Sequence, residues 1–477
     1  MIGCHINSLA FTHAEKGKQI GKQAGPVKRP DILFLFSDQQ RWDTCGCYGQ
    51  RADITPSLDR LAREGVRFEK AFTCQPVCGP ARACLQTGKY ATEVGVHTNH
   101  RQLPPAEKTL ARYLSAEGYE VGYVGKWHLA SRGPRDGPEN FRTKAVPHGL
   151  RGGYRDFWLA SDVLEFTSHS YDGYMFDQDG NRRDFPEGRY RADVLTDWAI
   201  DYLRRRDRRR PLFLFVSYIE PHHQNDHGHY EGPRGSKERF RNFSVPGDLV
   251  DAAGDWREEY PDYLGCINSL DRNVGRFRDE LERLGRAEDT LLIYTSDHGS
   301  HFRTRNAEYK RSCHDSCIRI PMILHGPGFR GGIAPSELVS LIDLPPTILR
   351  AAGIDPPSCM RGRALQELLS GSPVEWPGEV FLQISESHCG RAIRTRKWKY
   401  SVRAPDKDGS APASDVYVED FLYDLDADPW ERNNLVCAPG QAAVRRELAV
   451  VLKRRMVEAG EKEPEILPAQ QTGALGQ

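Results

Sequence analysis

The sequence predicts an α/β fold: a large, mixed but mainly parallel sheet sandwiched by helices, followed by a smaller antiparallel sheet with one helix. Three observations carry this. Four apolar runs each end in ionisable residues. Helical segments lie between them. From about Glu375 the pattern changes to short strands and turns.

The apolar runs are Asp31–Gln39, Tyr119–His128, Pro211–His222 and Thr290–His298. Continuous stretches of this length read as strands buried on both faces, as in a parallel sheet. Thr55 and Pro56 supply an N-cap and first turn for a helix ending near Gly65. Leu110 to Glu117 is a second helix, stopped by Gly118. Tyr263, Ile267, Leu270, Val274, Phe277, Leu281 and Leu284 form one apolar stripe, and Gly285 ends it. This alternation puts helices on both sheet faces. Further on, Val380–Ile384, Ala392–Arg394, Lys397–Val402 and Phe421–Leu425 read as short strands, and Ala442–Val457 as a helix. The expected organisation is a loose extension over 1–29, a catalytic domain over 30–374 and a smaller subdomain over 375–477.

Composition narrows the function. Sixty-six basic residues balance 66 acidic ones, which argues against a nucleic-acid or membrane-surface partner. No apolar stretch approaches the ~20 residues that span a bilayer. Met1–Pro30 lacks a charged segment followed by an apolar core, so it does not read as a signal peptide, and a cytoplasmic location is expected. The 12 cysteines show no zinc-type CxxC spacing and read mostly as reduced thiols.

In doubly wound sheets, functional groups collect beyond the carboxyl ends of the strands. Asp38, Gln39, Lys126, His128, His222, Asp297 and His298 all stand there and should meet in one crevice. Asp38, Gln39, Asp297 and His298 offer oxygen donors and an imidazole, which suit a hard divalent cation such as Ca²⁺ or Mg²⁺. Pro80 suits the first turn of a helix that would begin at Cys78, where anions are favoured, with Arg82 one turn on and on the same side. In isolation such a cysteine reads more readily as structural than as a nucleophile.

Cys78-Gly79-Pro80-Ala81-Arg82, followed by Leu85-Gln86-Thr87-Gly88, resembles the signature of the type I, formylglycine-dependent sulfatases of the alkaline-phosphatase-like superfamily. Ser37-Asp38-Gln39-Gln40-Arg41 resembles their first metal motif. Gly125-Lys126-Trp127-His128 is similar to a further motif, and Glu220-Pro221-His222 to another. Asp297-His298-Gly299 with Lys310 resembles the second metal motif and its trailing lysine. Arg319-Ile320-Pro321, Tyr423-Asp424-Leu425, Asp428-Pro429, Glu431 and Asn434-Leu435 resemble family markers outside the site. The likeness runs in family order over roughly residues 30 to 440.

The resemblance implies that a maturase oxidises Cys78 to formylglycine, whose hydrate attacks sulfur and then expels sulfate. It implies a cation, Ca²⁺ ahead of Mg²⁺ or Mn²⁺, held by Asp38, Gln39, position 78, Asp297 and His298. Arg82 would orient the hydrate, and Lys126 and Lys310 would hold sulfate oxygens. His128 would be the base for sulfate release and His222 the acid for the leaving group. Two residues depart from the usual pattern: Gln39 stands where many members have Asp, and His298 where many have Asn. Both substitutions occur in phosphonate monoester hydrolases of the superfamily, which makes a phosphonate or phosphodiester hydrolase the alternative. The intact Lys126/His128 pair favours a sulfatase acting on a sulfate ester or sulfamate, expected to be carbohydrate. His223, Gln224, His227 and His314 are either sugar-binding groups or surface loop residues. Trp42 and Trp127 either stack on a sugar or pack in the core. The polar stretches from Pro134 to Tyr174 and from His222 to Val245 read as substrate-binding insertions.

Overall fold

The computed structural model describes residues 29–133, 136–372 and 374–469. The extension expected over 1–29 lies, apart from Arg29, outside them. Asp31–Ser37 is an interior strand of a nine-stranded sheet, flanked in parallel by Leu212–Ser217 and Thr290–Ser296. Glu120–Lys126 and Phe157–Ser161 continue the parallel set beyond Leu212–Ser217. Antiparallel strands finish both sides: Met322–His325 and Val66–Arg67 at one, Tyr174–Phe176 and Arg182–Asp184 at the other. The sheet is therefore mixed and mainly parallel, as the apolar runs predict.

The period-two alternation of strand side chains divides the core. Ile32, Phe34 and Phe36 point to one face, where they join residues of the helices Cys78–Thr87, Leu110–Ala116 and Leu344–Ala351. Leu33 and Leu35 point to the other, toward the helices Pro56–Glu64, Arg191–Arg205 and Trp256–Arg283. The predicted stripe on the last of these is buried from Tyr263 to Leu281. Thr55 does not cap Pro56–Glu64 with its side chain. The Asp271 carboxylate does so instead, accepting from Ser57 N and Leu58 N at 3.1 and 2.8 Å.

A separate five-stranded sheet follows: Glu379–Ile384, Gly390–Thr395, Trp398–Arg403, Val416–Asp424 and Glu465–Leu467. It is antiparallel except for its last strand, which pairs in parallel with Val416–Asp424 and was not anticipated from sequence. The helix Ala442–Glu458 packs on it through Leu448, Leu452 and Met456. Buried charges join this sheet to the catalytic unit: Lys399 pairs with Asp315 and Glu431, and Arg394 with Asp315 at 3.2 Å. Among the described residues no helix is long and apolar enough to cross a membrane. The eleven described cysteines are all free, and eight of them are buried.

Candidate active site

The parallel strands deliver their terminal residues to one crevice, and local backbone features aim them. Gly125 has φ +104°, and a Cβ there would lie 1.9 Å from the Ser217 carbonyl oxygen, so only glycine lets these two strand ends meet. Gln39 and His128 also adopt positive φ, 70° and 59°, directly beyond their strands. The turn at His128 is held by Asp162, whose carboxylate accepts from Leu129 N, Ala130 N and Ser131 N at 3.0, 2.9 and 2.9 Å. Strained non-glycine backbone of this kind persists only where surrounding bonds over-determine it.

Cys78 is the first residue of its helix, and the Asn99 side chain accepts from the next amide, Gly79 N, at 2.9 Å. Cys78 Sγ lies 2.9 Å from Lys310 Nζ, 3.3 Å from His298 Nε2 and 3.5 Å from Asp38 Oδ1. Burial opposes ionisation of this thiol, but Lys126, Lys310 and His298 outweigh it and hold the group well below its ordinary range. Arg82, one turn along, gathers three strand ends. It donates to Asp38 Oδ2 at 2.9 Å, to the Lys126 carbonyl at 2.9 Å and to Ser217 Oγ at 2.7 Å. Arg82 therefore reaches Asp38, itself 3.5 Å from Cys78 Sγ. Lys126 Nζ donates to the same Asp38 oxygen at 2.7 Å. Burial disfavours charge on Asp38, yet Lys126, His222 and Arg82 keep its carboxyl below the usual range.

His222 Nδ1 lies 2.6 Å from the His223 carbonyl and 3.3 Å from Glu165 Oε2, and its Nε2 lies 3.2 Å from Lys310 Nζ. Burial, Lys310 and Lys126 lower its pKa below that of a free imidazole. His128 is also buried, and neither of its ring nitrogens has a hydrogen-bond partner among the described residues.

The donor set fits a divalent cation. Ligand atoms of Asp38, Cys78, Asp297 and His298 lie within 4.8 Å of one another, all buried. Asp297 Oδ1 is satisfied by Gln39 N and His298 N at 2.9 and 2.8 Å, while its Oδ2 has no hydrogen-bond partner. Gln39 Oε1 is likewise buried without a hydrogen-bond partner, while its amide nitrogen donates to Tyr230 Oη. His298 Nδ1 sits 2.9 Å from the Gly299 carbonyl, which leaves Nε2 as the ligand atom. Burial and the neighbouring Asp38 carboxylate push Asp297 up to about 6.

Above these groups is a cleft of about 350 Å³. Cys78, Lys126, His128, His222 and Lys310 form its base, and Asn99, Arg142, Glu165, Asn225, Tyr309 and Arg311 are among its walls. A larger depression of about 1000 Å³ adjoins it, sharing Asn99 and His100 and also lined by Arg101 and Arg132.

Comparison with known proteins agrees with this geometry. The family model "Sulfatase" matches residues 30–354, and the model "N-sulphoglucosamine sulphohydrolase, C-terminal" matches residues 307–458. The chain belongs to the sulfatase family. It is 26% identical to an N-acetylglucosamine-6-O-sulfatase of Bacteroides thetaiotaomicron, over 93% of this chain and 89% of that protein. It is 28% identical to an ulvan-active sulfatase of Formosa agariphila, over 96% and 86%. Among solved structures, the Bacteroides fragilis protein yidJ superposes with a TM-score of 0.80 at 24% identity, over 92% of this chain and 98% of that one. The phosphonate monoester hydrolase of Agrobacterium radiobacter superposes at 0.67 with 22% identity, over 90% and 96%, which marks the shared alkaline-phosphatase-like fold.

In this sulfatase the expected catalytic and metal residues converge on the cleft base, whereas the four candidate substrate contacts do not line the cleft. Gln224 is buried and bonds to the Glu165 carbonyl and Asp226. His223 is buried and stacks on Tyr309, with ring centroids 4.8 Å apart. His314 is buried 3.0 Å from Tyr423 Oη, at the seam with the C-terminal sheet. Polar residues in a loop read as exposed, but each of these is packed under another segment. His227 is on the surface, next to Asp226 of the cleft wall but not itself lining it. Trp127 is core, edge-on to Tyr123, and Trp42 lies under the Arg319 guanidinium. The sulfatase's two polar insertions do furnish cleft walls, through Arg142, Glu165, Asn225 and Asp226. Tyr309, Arg311 and Asn99 were missed, since nothing in their local sequence marks them. The Tyr423 and Glu431 markers act at the seam, where they hold the segment that follows Lys310.

Proposed function

We propose that the protein hydrolyses a sulfate ester or sulfamate of a carbohydrate, using formylglycine made from Cys78 and a bound divalent cation, with Ca²⁺ the best match to the donors. The observation that carries this is the convergence of Lys310, His298 and Asp38 within 3.5 Å of Cys78 Sγ at the base of a cleft. Formylglycine would supply a hydrated carbon whose oxygen attacks sulfur, and the cation would offset charge at that oxygen. The residues of this chain do the rest. Lys126 and Lys310, both buried at the cleft base, neutralise sulfate oxygens. His222, held through Nδ1 by the His223 carbonyl and Glu165, presents Nε2 to the leaving group as the proton donor. His128 presents free ring nitrogens to the proton released when sulfate departs. The carbohydrate reading draws on the relatives named for N-acetylglucosamine-6-O-sulfate and ulvan chemistry, and on polar walls with an adjoining depression large enough for further sugar units.

Two measurements test the reading. After co-expression with a formylglycine-generating maturase, the peptide bearing Cys78 should lose about 18 Da, the change from CH₂SH to CHO. The matured enzyme should then have a higher kcat/KM for sulfated aminosugars and aryl sulfates than for aryl phosphonates. A persistent thiol, or a dominant phosphonate activity, would overturn it.

A further inference from the structure

Beside the cleft, the segment His227-Gly228-His229-Tyr230-Glu231 carries three potential metal ligands at alternate positions, and nothing in the sulfatase chemistry uses them. The segment is a tight turn: Gln224 N donates to the His229 carbonyl at 2.9 Å, Gly228 N returns to the Gln224 carbonyl at 2.9 Å, and Gly228 has φ +75°. The turn brings ligand atoms of His227, His229 and Glu231 within 4.8 Å of one another. His227 Nδ1 is against Glu231 Oε1, and His229 Nε2 lies 4.0 Å from the same oxygen.

The surroundings are built as a metal's outer shell is built. His229 Nδ1 lies 3.1 Å from the Tyr230 carbonyl, which fixes the tautomer that leaves Nε2 free to coordinate. Glu231 Oε2 accepts from Ser170 Oγ at 2.7 Å, so its other oxygen stays turned toward the histidines. The His227 ring is stacked on His169, with centroids 4.2 Å apart and planes 11° from parallel. His169 in turn is held by Asp226 at 2.9 Å and Asp172 at 3.1 Å. The histidine side chains are 41% and 46% exposed, which gives a cation direct access and leaves room for a water ligand.

Two imidazoles and one carboxylate with an open fourth position suit a borderline cation of the Zn²⁺ class, unlike the oxygen-rich catalytic set. We propose that His227, His229 and Glu231 form a surface Zn²⁺ site, with Ser170 and His169 as supporting groups. It borders the cleft, because Asp226 of the same turn lines the cleft wall. The proposal does not depend on the sulfatase reading.

The test is a calorimetric titration of the Ca²⁺-saturated protein with ZnCl₂. The wild type should bind one Zn²⁺ more than His229→Ala or Glu231→Gln, or bind it at least about tenfold more tightly. His169→Ala should weaken binding much less. Circular dichroism and zinc-free aryl sulfatase activity, unchanged in the variants, separate a lost site from a lost fold. Equal Zn²⁺ binding in wild type, His229→Ala and Glu231→Gln, or absence of saturable binding in the wild type, would sink the proposal. Loss in His169→Ala with retention in His229→Ala would overturn the ligand assignment.

Discussion

Lys310 Nζ lies 2.9 Å from Cys78 Sγ although 232 residues separate the two in sequence. The same ammonium reaches His222 Nε2 at 3.2 Å and His298 Nε2 at 3.5 Å, so it touches the nucleophile position, the proposed acid and a metal-site residue at once. Burial works against this charge, but before maturation the Cys78 thiolate, with Tyr309 and Asp38, holds the lysine above its ordinary range. A fixed cation in a water-poor site stabilises developing negative charge strongly. Lys310→Ala should lower kcat/KM for a sulfated sugar by roughly 10²–10³, the loss typical of one such donor. Mass spectrometry should still find Cys78 converted, which would separate a catalytic defect from failed maturation.

His222 should matter in proportion to how poor the leaving group is. A sugar alkoxide needs a proton as it departs, whereas a nitrophenolate hardly does. Positioned acid catalysis contributes on the order of 10²–10⁴. His222→Ala should therefore cost about that much in kcat on a sulfated sugar and far less on a nitrophenyl sulfate. An equal loss on both substrates would assign His222 to positioning Lys310 instead of to proton transfer.

The cation prediction rests on unsatisfied atoms. Asp297 Oδ2, 3.6 Å from the Arg82 guanidinium, and Gln39 Oε1 are buried without hydrogen-bond partners, and Asp297 is pushed up to about 6. Removing bound metal should therefore destabilise the fold as well as abolish activity. A ligand at 100 times its Kd adds about 2.7 kcal/mol. Chelation should lower Tm by several degrees, and Ca²⁺ should restore it more fully than Mg²⁺. A Tm indifferent to chelator in metal-loaded protein would contradict the ligand set.

How much of this was legible in the sequence follows from which interactions are local. Asp38, Lys126, His222 and Asp297 each end an apolar run, so strand burial and sheet topology alone bring them together. Lys310 ends no run and was found only through the family resemblance. Arg142, Glu165, Tyr309 and Arg311 sit in loops without periodicity, and the chain path above the sheet decides where they go. The same limit explains the errors. Asp271, 214 residues from Ser57, displaces Thr55 as a helix cap. His314 reads as a loop residue until Tyr423 covers it. The strand Glu465–Leu467 is three residues, two of them exposed, too short to carry a readable pattern, and it is held by pairing to Val416–Val418.

Glu280 gives the fold a defined acid sensitivity. Arg204, from the neighbouring helix, and Arg283 hydrogen-bond its carboxylate and hold it down at about 2. A depressed carboxyl contributes stability that is complete above the unfolded value of 4.5 and is lost as pH falls toward 2. The arginines are more than half exposed, so solvent screening makes the contribution a small one. Glu280→Gln should lower the urea midpoint near neutral pH, and the gap to wild type should close as the protein is titrated below about pH 3.

The buried charges around Lys399 tie the C-terminal sheet to catalysis. Lys399 is fully buried between Asp315 and Glu431, and Glu431 Oε2 accepts from Asp315 N at 2.7 Å. Arg305 adds bonds to the carbonyls of Trp430 and Glu431, both 2.8 Å. These contacts bracket the loop that carries Lys310. Removing one member strands its partners in a dry environment, which typically costs 3–5 kcal/mol, of order half a domain's stability. Lys399→Met should cost about that much, eased by Arg394, which still faces Asp315. Lys399→Met combined with Glu431→Gln should cost less than Lys399→Met alone, because the unpaired charge at 431 is gone. A double variant less stable than the single would mean that Glu431 supports the loop through its bond to Asp315 N more than through Lys399. In either case kcat should fall further than binding of a substrate analogue, since the loop's contribution to the site is the position of the Lys310 ammonium.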